Sequence, residues 1–138
     1  MNFELFINFD GNCRQAVEFY AKVFKTEVKN IMTYSQIPAN EDYPVADADK
    51  DKIMYCDIQI GDMNVMFCDL PADHVLNKGN NVSPTLSMAD KDEVTRIFNE
   101  LKESAEVHMD LQKTFYSELY GMVKDKFGII WQILYYTR

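Results

Sequence analysis

The chain has 138 residues, a hydrophobic fraction of 47% and a formal net charge of −8, which suits one globular domain, or two small modules sharing a core, and argues against disorder. No apolar run approaches the roughly 20 residues that span a bilayer, and an acidic chain without a basic stripe repels nucleic-acid phosphates. Met1-Asn2-Phe3-Glu4 shows no basic start before an apolar stretch, so no secretory signal is visible and a cytoplasmic location is expected.

Residues 3 to 9 are aromatic and aliphatic and read as a strand. Asp10-Gly11-Asn12 is a turn. A helix follows with apolar residues at Ala16, Phe19, Tyr20 and Val23, a helical spacing that makes one buried stripe. Asn12 is placed to cap it, with Gln15 three residues on. Val28 to Tyr34 reads as a second strand. Residues 35 to 51 hold Pro38, Pro44 and the acidic residues Glu41, Asp42, Asp47, Asp49 and Asp51, the composition of an exposed loop. Ile53 to Ile60 and Asn64 to Asp69 read as a hairpin around Gly61-Asp62.

After a polar stretch the pattern restarts. Ser83 to Met88 reads as a strand, and Asp90 opens a helix with Glu93 completing a capping pair. Its stripe, Val94, Ile97, Phe98 and Leu101, is the first stripe displaced by 78 residues, and the caps Asn12 and Asp90 show the same displacement. Val107 to Thr114, Leu119 to Val123 and Ile129 to Tyr136 read as three more strands. The order is βαβββ twice. Residues 1–70 form the first module, 71–82 a linker and 83–138 the second. One module buries too little to stand alone, so the two are expected to make one structural domain of α+β class. The expected arrangement is a curved mixed sheet with helices on its convex face and a cleft on its concave face.

Several residues resemble the PhnB-like branch of the vicinal-oxygen-chelate superfamily, which has the glyoxalase/bleomycin-resistance fold. They are Phe9-Asp10-Gly11-Asn12-Cys13 with Ala16 and Phe19-Tyr20, the strand from Lys52-Ile53-Met54 to Gly61, Gln112-Lys113-Thr114-Phe115-Tyr116, and Tyr120 through Gly128 with Trp131. Physically, Asp125-Lys126-Phe127-Gly128 between apolar strands is a hairpin turn in which glycine takes a positive φ, and Trp131 reads as core. The motif marks a fold and a lineage and names no reaction, since this fold hosts many activities.

The resemblance implies a cleft in which the superfamily's enzymes hold a divalent metal. The first-strand ligand positions fall on Leu5 and Ser83, and the last-strand positions near Phe67 and on Gln132. Leucine and phenylalanine bind no metal, serine is a poor ligand, and about three protein ligands are needed. No metal and no cofactor are therefore expected. Many PhnB-like relatives carry His where this chain has Tyr55, and Trp where it has Tyr116. Some relatives carry a label relating them to a demethylubiquinone methyltransferase, but this chain has no GxGxxG and no strand, glycine-rich loop and helix of the nucleotide-binding kind.

His74 and His108 read as surface or loop residues. Cys13 sits in a helical first turn that can lower a thiol pKa, but it also reads as a small buried residue; Cys56 and Cys68 read as core. Strand alternation puts Phe3, Leu5, Ile7 and Phe9 on one face, with Ile130, Gln132, Leu134 and Tyr136 on another, and Val65 and Phe67 join them in an apolar cleft with one central amide. The expected ligand-contacting residues are Leu5, Ile7, Tyr55, Phe67, Ser83, Tyr116 and Gln132. The expected function is metal-free binding of a small, partly apolar molecule. The alternative is a divalent-metal enzyme with relocated ligands such as Gln132, Tyr55, Asp57 or His108. The resemblance implies a homodimer; no nucleic-acid or membrane partner is expected.

Overall fold

A computed structural model describes residues 1–38, 42 and 44–137; Glu41, counted above in the first long loop, lies outside them. The elements in chain order are β1 (Leu5–Phe9), α1 (Cys13–Val23), β2 (Val28–Thr33), β3 (Ile53–Ile60), β4 (Met63–Asp69), β5 (Thr85–Met88), α2 (Lys91–Leu101), β6 (Glu106–Gln112), β7 (Tyr120–Lys124) and β8 (Ile130–Tyr135). The chain divides into two compact units, Met1–Asn77 and Lys78–Arg138. Each builds a four-stranded mixed sheet, ordered β1-β4-β3-β2 in the first and β5-β8-β7-β6 in the second. In both, the first strand runs parallel to the last and the other pairings are antiparallel. A parallel pair needs a long crossover, which the helix and two strands between its members supply.

Each helix buries its apolar stripe on one face of its own sheet. In the first unit Ala16, Val17, Tyr20 and Val23 are buried. Tyr20 stacks on Phe67 at 5.9 Å between ring centroids, and Phe67 on Phe9 at 6.3 Å. In the second, Val94, Ile97, Phe98 and Leu101 are buried. There β7 comes so close to α2 that a Cβ on Gly121 would stand 2.7 Å from Phe98 Cε2. Burying side chains of this size contributes about 1.5–3 kcal/mol each.

The helices are entered differently. Asp90 caps α2 as expected, its carboxylate accepting the Asp92 and Glu93 N–H groups at 2.9 and 3.3 Å. Asn12 makes no side-chain cap on α1. The carboxylate of Asp69, at the end of β4, takes that place and accepts the Gly11 and Cys13 N–H groups at 2.8 and 2.9 Å. Its other oxygen accepts Ile53 N–H at 2.9 Å, which ties the start of β3 to the same point.

The turn before α1 is also one residue longer than its counterpart. Asp10, Gly11 and Asn12 separate β1 from α1, whereas Ala89 and Asp90 separate β5 from α2. Gly11 takes φ 119°, a conformation that other residues rarely adopt, and makes the longer turn possible. The helix starts, Cys13 and Lys91, are 78 residues apart, but the strand ends, Phe9 and Met88, are 79 apart. An offset wrong by one residue moves every side chain of a strand to the opposite face.

The first long loop is only partly exposed. Asp49 is 5% exposed, receives Ala72 N–H at 3.1 Å and pairs with Lys52 Nζ at 2.8 Å. No helix among the described residues is long and apolar enough to cross a membrane.

Candidate functional site

Residues paired in register share a face of the sheet, so the strand pairings decide which side chains can meet a ligand. Phe67 contacts Tyr20 of α1, so Phe67 and its partner Ile7 point toward the helix; Leu5, paired with Val65, lies on the same side. Phe67 is fully buried and Ile7 is 8% exposed. The face expected for Leu5, Ile7 and Phe67 is thus corrected: the 78-residue offset of the helices does not hold for the strands. The open face of β1 carries Phe6 and Asn8 instead.

In the second unit Gly121 lies under Phe98, so its register partner Ile133 faces α2, and Gln132 faces away with its partners Met122 and Thr85. On that face lies an open pocket of about 470 Å³ lined by Asn80, Asn81, Ser83, His108, Met122, Ile130 and Gln132. Ser83 and Gln132, two of the expected residues, meet there.

The amide of Gln132 is held in place. Its Oε1 accepts the Tyr120 hydroxyl at 2.8 Å, and its Nε2 has no partner among the described residues. Burial, and then the neighbouring Tyr116 phenol, hold the Tyr120 hydroxyl above its ordinary pKa, so it remains a neutral donor at neutral pH. Tyr116 lies edge-on to Tyr120 at 5.5 Å, and Phe115, which is 99% exposed, lies edge-on to Tyr116 at 5.0 Å. The loop carrying them is fixed at Ser117, whose Oγ lies 2.9 and 2.8 Å from the Leu119 and Tyr135 carbonyl oxygens. Tyr116, expected to contact a ligand, does not line this pocket; it packs against Tyr120, which holds Gln132.

His108 was read as a surface residue, but it lines the pocket, with its side chain 32% exposed and Nε2 3.5 Å from Glu106 Oε1. The pairing of β6 with β7 shifts register between Val107 and Met109, and such a bulge re-aims the residue it releases. Regular alternation carries no sign of this. His74 is exposed beside Asp73, as expected of a loop histidine.

In the first unit Tyr55 faces away from α1, but its hydroxyl is already used, donating to Asp57 Oδ2 at 3.0 Å. Cys13 and Cys56 are fully buried and Cys68 is 7% exposed. A hydrogen bond with Cys56, then burial and the nearby Asp69 charge, push the Cys13 thiol up, which removes it as a nucleophile despite its helical first turn. Burial pushes Cys68 up to about 11, and its Sγ donates to Asn8 Oδ1 at 3.1 Å.

The donor set does not fit the superfamily's metal. Leu5 and Phe67 offer no donor and face α1, and the one amide oxygen of Gln132 already accepts a phenol. Among the described residues no three His, Cys, Asp or Glu side chains gather as a metal site. The Asp125-Lys126-Phe127-Gly128 turn is structural: Asp125 is 3% exposed and its carboxylate accepts the Phe127 and Ile129 N–H groups and Trp131 Nε1 at 2.9, 3.0 and 2.8 Å. Gly128 takes φ 94° and Trp131 is 1% exposed, the turn and core roles read from the sequence.

A model of the 3-demethylubiquinone-9 3-methyltransferase family matches residues 2–134. Protein PA1353 from Pseudomonas aeruginosa is 28% identical and superposes with a TM-score of 0.87, covering 98% of this chain and 97% of that one. The PhnB protein from Bacillus cereus superposes at 0.80 with 20% identity, covering 99% and 100% of the two chains. The fosfomycin resistance protein FosX from Listeria monocytogenes superposes at 0.67 with 7% identity, covering 97% and 91%. At such identities the last two likenesses concern the fold alone, which is that of the glyoxalase and fosfomycin-resistance proteins.

Proposed function

Since the chain belongs to the 3-demethylubiquinone-9 3-methyltransferase family, PhnB-like and of glyoxalase fold, we propose that this member binds a small, partly apolar, uncharged molecule without a metal, in the pocket on the face of β7 and β8. The observation that carries this reading is the fixed Gln132 amide: Tyr120 holds its oxygen, and its Nε2 is left free beside Met122 and Ile130. A pocket in which Met122 and Ile130 stand beside several polar side chains suits a partly apolar ligand carrying one carbonyl or hydroxyl acceptor. Asn80, Asn81 and Ser83 add neutral donors, and the lining holds no carboxylate and no lysine or arginine.

The methyl transfer in the family's description is not part of this reading. At the strand-to-helix glycine turn before α1, the Gly11 and Cys13 amides are taken by the Asp69 carboxylate, whose negative charge at the helix entry disfavours an anionic group there. A homodimer in the cytoplasm, each chain acting as one domain of two modules, completes the reading on the strength of the family resemblance. Light scattering that returns the 16.1 kDa monomer at micromolar concentration overturns the dimer.

The test begins with metal analysis of the purified protein and melts with manganese, nickel, zinc and iron(II). The expected result is no stoichiometric metal and no shift; about one metal per chain with clear stabilisation overturns the metal-free reading in favour of a metal-dependent enzyme. A thermal-shift screen of neutral carbonyl compounds then follows, in which a ligand at about 100 times its Kd stabilises the fold by about 2.7 kcal/mol. Gln132→Ala is expected to abolish that shift and, because the buried Tyr120 hydroxyl loses its acceptor, to lower the unliganded melt modestly, so the ligand-induced shift is read against the variant's own unliganded melt. A hit that stabilises Gln132→Ala equally well overturns the site.

A further inference from the structure

The face of the first sheet opposite α1 has different chemistry. Phe6, Met66 and Asp57 are register neighbours in one row across β1, β4 and β3, so their side chains point away from the helix together. Met32 and Tyr55 are paired on the same face one position along. Phe6 and Met32 are 43% and 40% exposed, and the Phe6 and Tyr55 rings lie 6.3 Å apart. Set among these apolar groups, Asp57 is only 5% exposed.

Its carboxylate is partnered on one side only. Oδ2 accepts Asn30 Nδ2 at 2.8 Å and the Tyr55 hydroxyl at 3.0 Å, both neutral donors, and Oδ1 accepts no hydrogen bond from the described residues. Asn30 reaches it from a bulge in β2, where its φ of 57° is a conformation that costs energy in most residues. Burial first, then the bond to Asp57 and the negative charges of Asp57 and Glu4, hold the Tyr55 phenol above its ordinary pKa. Lys29 is the cross-strand neighbour of Asp57, yet the two form no ion pair among the described residues. A lysine ammonium is strongly hydrated and stays in water. Asn12 Oδ1 is the buried side-chain oxygen without a partner among the described residues, so the unpartnered Asp57 Oδ1 is reached from solvent and is open to a cation.

We propose that this face of the first sheet is itself a small-molecule site and that it takes an organic ammonium ion, the cation on Asp57 Oδ1 and the apolar body against Phe6, Tyr55 and Met66. Charge complementarity selects the cation, and the two rings and two methionines select one with an apolar body. Aromatic faces attract cations, and methionine adapts to varied apolar shapes. Phe6 and Asp57 stand two inter-strand spacings apart, about 10 Å, which an arylalkyl ammonium bridges in part from either end.

The test is a titration of the full chain, followed by amide NMR, with benzylamine, a monocation at neutral pH, and with benzyl alcohol, its neutral counterpart. Benzylamine is expected to bind saturably, with shifts confined to the amides around Phe6, Asn30, Tyr55, Asp57 and Met66, and benzyl alcohol to bind about tenfold more weakly or not at all. Asp57→Asn keeps an acceptor for Tyr55 and Asn30 but removes the charge, and is expected to weaken benzylamine about tenfold with the spectrum otherwise retained. Should Asp57→Asn fail to fold, Phe6→Ala at its exposed position is expected to weaken benzylamine severalfold, and raised salt is expected to weaken benzylamine but not the alcohol. No saturable binding, equal binding of the two probes, or full affinity in the folded variants overturns the site.

Discussion

Each unit buries an aspartate and gives it three N–H donors, but the two carboxylates reach very different distances along the chain. Asp69 collects Gly11, Cys13 and Ile53 from segments 58, 56 and 16 residues away. Asp125 collects Phe127, Ile129 and Trp131 from within 6 residues. Both satisfy the rule that a buried charge must be hydrogen-bonded. The first is a tertiary clamp joining the start of α1, the end of β4 and the start of β3; the second is a staple inside one hairpin. The same solution is therefore visible in one stretch of sequence for Asp125 and dispersed over the whole first unit for Asp69.

The sharpest way to break this comparison is to remove each carboxylate. Asp69→Ala leaves the buried Cys13 and Ile53 N–H groups unpaired, each at about 1–3 kcal/mol, together with the part-buried Gly11 N–H, and uncouples α1 from its sheet; a loss of about 3–5 kcal/mol is expected in urea unfolding. Asp125→Ala leaves the buried Phe127 N–H and Trp131 Nε1 and the part-buried Ile129 N–H unpaired, but all three lie inside one hairpin and no second element is released, so a smaller loss of about 2–3 kcal/mol is expected. Trp131 is the only tryptophan, and its fluorescence is expected to change in Asp125→Ala and to hold in folded Asp69→Ala. Equal costs would mean that the long reach of the Asp69 clamp contributes nothing.

The same contrast explains what the sequence showed and what it hid. Order and type of the ten elements follow from periodicity and turn residues, and the Asp125 to Gly128 turn with Trp131 is local enough to read directly. Gln132 is assigned the correct face because β8 is regular through that point. The face of β1 was misassigned because one added turn residue, Gly11, changes strand parity without changing the helix spacing that reveals the repeat. The place of His108 was hidden by a register shift, and the true cap of α1 by a partner 56 residues distant from Cys13. Local signals are legible in a single sequence; register and remote partners depend on the assembled sheet.

The helix-to-sheet distance offers a second comparison. β7 meets α2 at a glycine, and a methyl group on Gly121 would stand 2.7 Å from Phe98 Cε2 and 3.0 Å from Leu111 Cδ2. Gly121→Ala is expected to destabilise by about 1–3 kcal/mol through overpacking, a smaller loss than that of Asp69→Ala. A neutral outcome in chemical denaturation would show that Phe98 moves aside freely and that the close approach of the second helix is not tightly packed.

The smallest expected effect separates the two caps that sequence spacing treats as equivalent. Asp90 accepts two N–H groups at the start of α2 from an exposed position, so Asp90→Ala is expected to cost about 1 kcal/mol. Asn12 occupies the matching position before α1 but makes no cap, and its Oδ1 is buried without a partner. Asn12→Ala removes that unsatisfied oxygen while Asp69 continues to hold the Gly11 and Cys13 amides, so it is expected to change stability by less than about 0.5 kcal/mol, or to raise it. Matching losses of about 1 kcal/mol in both variants would restore Asn12 as a cap and reduce Asp69 to a link between strands. The predicted inequality would instead show that the two modules keep one architecture while their helices are anchored by different residues.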